Sequence, residues 1–72
     1  MCEFAVGDRV VVANNRYPQD MNDYYGHVVG VNHELFMARV EIEGRGNGKS
    51  FGLHALMCNP WPFYCEELRH ID

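Results

Sequence analysis

Eight consecutive residues, Phe36 to Glu43 (FMARVEIE), alternate between apolar and polar side chains. Phe36, Ala38, Val40 and Ile42 share one face, and Met37, Arg39, Glu41 and Glu43 share the other. A pleated strand sends successive side chains to opposite sides, so a period of two predicts a half-buried strand. A helix would scatter the same four apolar residues around its circumference. The strand's apolar face needs other strands to cover it. A chain of 72 residues can build only a thin core, because a domain of this size hides roughly 60% of its unfolded surface. The length predicts one domain, residues 1–72, with little room for a deep catalytic pocket.

The rest of the chain is punctuated by glycine, asparagine and proline at short intervals, which fits an all-β domain. Arg9 to Ala13 (RVVVA) reads as a first strand and Tyr25 to Asn32 (YGHVVGVN) as a second. A bulge or bend at Gly30 would let Val28, or Val29, point the same way as Val31. Between these strands, residues 14–24 (NNRYPQDMNDY) form a long polar loop, and residues 32–35 form a short turn before the alternating strand. Ser50 to Met57 is expected to be a fourth strand, with Phe51, Leu53 and Ala55 on one face. Residues 58–63 (CNPWPF) are expected to be a proline-braced loop, Tyr64 to Glu67 a single helical turn, and Leu68 to Ile71 a last strand. Closing five such strands into a barrel would remove the exposed edges. The expected core is Val10, Val12, Val29, Val31, Phe36, Ala38, Val40, Ile42, Phe51, Leu53 and Leu68.

The glycine-rich stretch Gly44 to Ser50 (GRGNGKS) resembles the end of a phosphate-binding loop. That motif needs a glycine five residues before Gly48, and a helix after the hydroxyl residue to face the anion. Glu43 stands at the glycine position, and the expected strand at 50–57 leaves no helix. A hairpin loop, with glycine supplying tight reversals, is the simpler reading.

Three blocks carry a resemblance to a known class: Val6-Gly7-Asp8-Arg9-Val10-Val11-Val12, Tyr25-Gly26-His27-Val28-Val29-Gly30-Val31, and Glu66-Glu67-Leu68. With the long first loop and the late helical turn, the layout resembles the Src-homology-3-like small barrels. The first two blocks look like the G-D-x-V-x-V and G-x-V-x-x-V signals of KOW-type barrels in ribosomal and transcription proteins. The resemblance implies a five-stranded Src-homology-3-like barrel and no particular function, since many functions share this fold. The chain departs from the KOW pattern in its long first loop and its net charge of −4. It departs from the peptide-binding members in lacking an A-L-Y-D-Y block and paired tryptophans.

The resemblance also implies that the long loop and the helical turn lie side by side. Tyr17, Tyr24, Trp61 and Tyr64 would then form a groove for a segment of a protein partner, with Asp20 and Asp23 pairing a basic ligand residue. Extended, proline-rich peptide is the ligand such grooves take. The alternative is that these rings only complete a thin core. The rival function is nucleic-acid binding in the transcription or translation apparatus, through Arg45 and Lys49 on the glycine loop. The acidic balance opposes it. By analogy with compact acidic accessory proteins of phages, docking on host machinery is a third form of the protein-partner reading. His54, Cys58, Cys65 and His70 are ligand types without the close pairs of a structural zinc site, so no metal is expected. No cofactor and no catalytic residue is expected either, since no oriented nucleophile and base are evident. The segment Met1 to Asp8 has neither a basic start nor a long apolar run, and three cysteines form no even framework. These features fit a reduced cytoplasmic protein, a monomer or weak homodimer, with no membrane span.

Overall fold

The alternating segment forms one arm of a long antiparallel hairpin: β2 (Tyr24–Asn32) against β3 (Met37–Arg45). The computed structural model describes residues 3–18, 20–49 and 52–71. Around the hairpin lie β1 (Arg9–Val12), a five-residue helix α1 (Leu53–Met57), β4 (Trp61–Tyr64), a 3-10 turn (Cys65–Glu67) and β5 (Leu68–His70). The architecture is all-β in character: five antiparallel strands in the order β4-β3-β2-β1-β5.

The hairpin is irregular at two points, and both decide which side chains face the core. Val28 pairs with Val40 and Gly30 with Arg39, so Val29 is an extra residue on β2. Tyr25 pairs with Gly44 and Gly26 with Ile42, so Glu43 is extra on β3. The expected irregularity beside Gly30 is present, and it selects Val28 for the core while Val29 is exposed. Gly26 lies where β3 crosses closest: a Cβ built there would sit 1.8 Å from the Glu41 carbonyl oxygen. No other residue fits that approach.

The core is built from Val10 and Val12, Val28, Ala38, Val40 and Ile42, Phe63 and Leu68, with Met21, Tyr24, Ala55 and Cys65 around them. Six of the expected core residues are therefore buried. Val31 is partly buried and packs against the cluster. Val29 and Phe36 are corrections, since both are exposed. Phe36 lies just before β3 in a left-handed conformation (φ 54°), which turns its ring away from the face its position in the alternation assigns it. Phe51 and the side chain of Leu53 lie outside the described residues.

Two elements differ from the sequence expectation. Residues 53–57 are helical rather than extended. Leu, Ala and Met all favour helix, and the backbone N–H of Ala55 donates to the Gly52 carbonyl at 3.1 Å. The Trp61 indole N–H donates to the Ala55 carbonyl at 2.8 Å, which ties this helix to β4. Conversely, the proline-braced segment supplies the fourth strand. β4 lies at the sheet's edge, where proline is tolerated, and Pro62 stands opposite Arg39. Tyr64, expected in the helical turn, is the last residue of β4. Beyond the strand, the Asn59 side-chain amide continues the ladder. It accepts from the Ile42 N–H at 2.8 Å and donates to the Ile42 carbonyl at 3.0 Å.

Cys65 is disulfide-bonded, which corrects the expectation of reduced cysteines; an odd count still allows one bridge. Cys58 is an exposed thiol. Disulfides persist in oxidising compartments, so the cysteines no longer speak for a reducing cytosol. Among the described residues, no helix is long and apolar enough to cross a membrane.

Candidate functional site

Glu67 organises the side of the molecule where the long loop meets the 3-10 turn. It is only 1% exposed, and a buried carboxylate needs donors to replace its water. Its Oε1 accepts from the Arg16 backbone N–H and its Oε2 from the Tyr64 backbone N–H, each at 2.7 Å. Its own carbonyl accepts from the backbone N–H groups of Ala13 at 2.7 Å and Asn14 at 3.2 Å. One residue therefore fixes the start of the long loop, the end of β4 and the turn between β4 and β5. The Arg16 guanidinium reaches over to pair with Glu66.

Tyr17 leaves the loop and lies across β4. Its ring meets Trp61 and Phe63 edge-to-face, at 5.6 Å between centroids in each case. Its hydroxyl donates to the Pro62 carbonyl. Burial, and after it the Glu67 charge, raises the Tyr17 pKa, so the phenol stays a neutral donor. Trp61 is half-buried between Tyr17 and α1. Tyr64 is exposed, with the Arg16 guanidinium carbon 5.5 Å from its ring centroid. Tyr24 is buried in the core beneath Arg45, whose guanidinium carbon lies 4.5 Å from the ring centroid. Of the four expected groove rings, then, Tyr17 and Trp61 pack together, Tyr64 lies beside them in the open, and Tyr24 sits apart.

The two aspartates and the two basic residues named from the sequence are one another's partners. Lys49 Nζ lies 3.2 Å from Asp20 Oδ2 and 3.0 Å from Asp23 Oδ2. Arg45 pairs with Asp20 at 3.2 Å and donates to the carbonyls of Asp20 at 2.9 Å and Asn22 at 3.1 Å. These contacts tie the far end of the long loop to the glycine loop. They also set the charges of Asp20 and Asp23 against those of Arg45 and Lys49. A helix does follow the glycine loop, contrary to expectation, yet it is five residues long and Glu43 still holds the first glycine position. The phosphate-loop reading is rejected on those grounds.

This clamp sets a pH window. The Asn22 backbone N–H, and then Lys49, hold Asp20 below its ordinary value of 3.8. Lys49, and then Asn47, hold Asp23 below the same value. Asp23, and then Asp20, hold Lys49 above 10.5. Carboxylates with lowered pKa values contribute stability above pH 3.8, and they lose it as pH falls through their folded values. Lys49, with a raised pKa, contributes below pH 10.5 and loses it as pH rises through its folded value. Melting temperature followed against pH is expected to hold a plateau between these limits and to fall on both sides. Lys49→Met is expected to lessen the alkaline fall, leaving the part that the raised Tyr17 pKa contributes, and added salt to flatten the limbs that the exposed Asp20, Asp23 and Lys49 contribute.

Two concavities adjoin on the loop–turn side and share Arg16 and Tyr64. The smaller, about 200 Å³, is lined by Arg16, Tyr17, Pro18, Met37, Pro62, Tyr64 and Glu67. The larger, about 590 Å³, is lined by Glu3, Phe4, Arg16, Leu35, Phe36, Tyr64, Cys65, Glu66 and Leu68. A third of about 470 Å³ lies elsewhere, lined by residues that include Arg9, Tyr25, Arg69 and His70. Among the described residues, no group of three His, Cys, Asp or Glu side chains converges as metal ligands would.

Glu67, Leu35 and Phe36 were not legible as site residues. Glu67 gives no signal, because it completes the turn behind a tyrosine rather than behind a Ser, Thr, Asp or Asn cap. The turn around Phe36 did carry one: Asn32 stands where its side chain closes the turn that follows. Comparison of the chain with family models, with curated proteins and with solved structures finds no match.

Proposed function

We propose that the chain is a non-enzymatic protein-binding module of Src-homology-3-like small-barrel type, and that its partner docks where the long loop meets the 3-10 turn. The strand order β4-β3-β2-β1-β5, the long connection after β1 and the 3-10 turn before β5 support the barrel reading. The observation that carries the binding reading is the pair of adjoining concavities, walled by Tyr17, Pro62, Tyr64 and Phe36 and sharing Tyr64. A concave surface with exposed aromatics and a polar rim is what an interface core requires. Glu67 holds both walls before any partner arrives, which lowers the ordering cost of binding.

The test is capture of a partner from native cell extract, with and without nuclease treatment, on immobilised chain. Tyr64→Ser is expected to reduce the captured partner by about tenfold, a common loss at an interface hot spot. The exposed position should leave the melting temperature within a few degrees. Arg69→Glu, in the separate third concavity, is expected to leave capture unchanged. Capture that survives Tyr64→Ser but disappears with nuclease would place the function on nucleic acid, and capture lost in Arg69→Glu alone would move the docking site to the third concavity.

A further inference from the structure

The turn between β2 and β3 presents two large apolar side chains that folding does not use. Leu35 is 59% exposed and Phe36 is 56% exposed. Phe36 also occupies the left-handed region, where a bulky side chain is strained. Neither burial nor backbone preference accounts for a phenylalanine at this position. The main chain of the turn is secured without the ring. Asn32 Oδ1 accepts from the N–H groups of Glu34 at 3.0 Å and Leu35 at 3.2 Å, and the Phe36 carbonyl accepts from the Cys65 N–H at 2.8 Å. The tip is thus stapled to the 3-10 turn by its backbone, with both side chains projecting beside the larger concavity.

The charge around this tip selects its occupant. Glu3 and Glu66 line the concavity and Glu34 adjoins Leu35 in the turn, while the one basic lining residue among the described residues, Arg16, is already paired with Glu66. Among the described residues, no cation is paired with Glu3 or Glu34. A second copy of the chain would bring the same carboxylates and a net charge of −4 to the contact, which like-charge repulsion disfavours. We propose that Leu35 and Phe36 are preformed anchors for an apolar segment of another protein that carries Lys or Arg beside its apolar residues. This rests on the protein-binding reading above and names the partner's chemistry.

The experiment selects binders from a displayed library of random short peptides, then measures them against the wild-type chain, Phe36→Asn and Tyr64→Ser. Asparagine tolerates the left-handed conformation, so Phe36→Asn is expected to keep or raise the melting temperature. Selected peptides are expected to combine Lys or Arg with aliphatic or aromatic residues. Their affinity should fall by about tenfold in Phe36→Asn, and it should weaken as salt rises from about 0.05 to 0.5 M, where screening shortens. Binders that lack basic residues, or that ignore Phe36→Asn yet are lost in Tyr64→Ser, overturn this inference and leave the groove reading standing. Failure to select any binder overturns both. A dimer in sedimentation equilibrium that Phe36→Asn dissolves would show a second copy as occupant and also overturn it.

Discussion

Glu67→Ala is expected to lower the unfolding free energy by about 3 kcal/mol, because it orphans two partly buried backbone donors at roughly 1–3 kcal/mol each, less what entering water restores. The two donors are the N–H groups of Arg16 and Tyr64. A small domain has roughly 5 kcal/mol in hand, so the variant should sit near the edge of folding. Its melting temperature should fall by roughly 15 °C. Glu67→Gln separates the charge from the acceptors. The amide keeps one carbonyl oxygen and turns an NH₂ toward the other donor, so a loss of about 1–2 kcal/mol is expected. Urea titration of the three proteins checks the order wild type, Gln, Ala. If Ala matches wild type, Glu67 does not hold the loop to the turn.

Gly26→Ala is expected to be at least as damaging, by about 3 kcal/mol or more, at the upper end of what overpacking a core costs. The obstruction is backbone rather than side chain, since a Cβ would stand 1.8 Å from the Glu41 carbonyl oxygen. No rotamer change can relieve it. The hairpin would have to open beside the Glu43 bulge, where Gly26 pairs with Ile42, and Ile42 is a core residue. Failure to accumulate as folded protein, or loss of dispersed amide resonances, is the expected readout. By contrast Gly30→Ala, where a Cβ would meet only the Arg39 side chain at 3.9 Å, should fold. Equal stability of the two variants would mean that β2 and β3 do not cross so closely at Gly26.

The sheet was legible wherever burial alternates along a strand. Ala38, Val40 and Ile42 are buried as their period of two predicts, and Val10, Val12 and Leu68 follow from the β-branched and terminal runs. Legibility failed where a single residue changes the phase. Val29 looks as apolar as Val28, and only its place as the extra residue sends it outward. Phe36 continues the alternation on paper, but with its positive φ the strand begins one residue later, at Met37. Leu53 to Met57, expected as strand, is helical, and Trp61 to Phe63, expected as loop, is strand, for a similar reason. Short apolar runs fit helix or strand equally, and prolines that break a central strand are tolerated at an edge.

For the candidate site, residue types were legible and pairings were not. Tyr17 packs edge-to-face on Trp61, and Tyr17 and Tyr64 line one concavity. Asp20 and Asp23, expected to pair with a basic ligand residue, pair with Lys49 and Arg45, the two residues expected as alternative nucleic-acid contacts. Opposite charges far apart in sequence find each other only once the hairpin brings the glycine loop beside the long loop. Tyr24 was expected at the end of the loop and on the groove, yet β2 begins with it and strand alternation buries it under Arg45 and leaves Tyr25 half-buried.

The most direct measurement places a photo-activated benzoylphenylalanine at position 64, and in a second protein at position 25, and irradiates each in nuclease-treated native extract. Tyr64 faces the two adjoining concavities, and Tyr25 lines the separate third one. A discrete protein adduct from position 64, absent from position 25, is the predicted result. Adducts from position 25 alone, or none from position 64 in extract where the untreated chain still captures a partner, would contradict it.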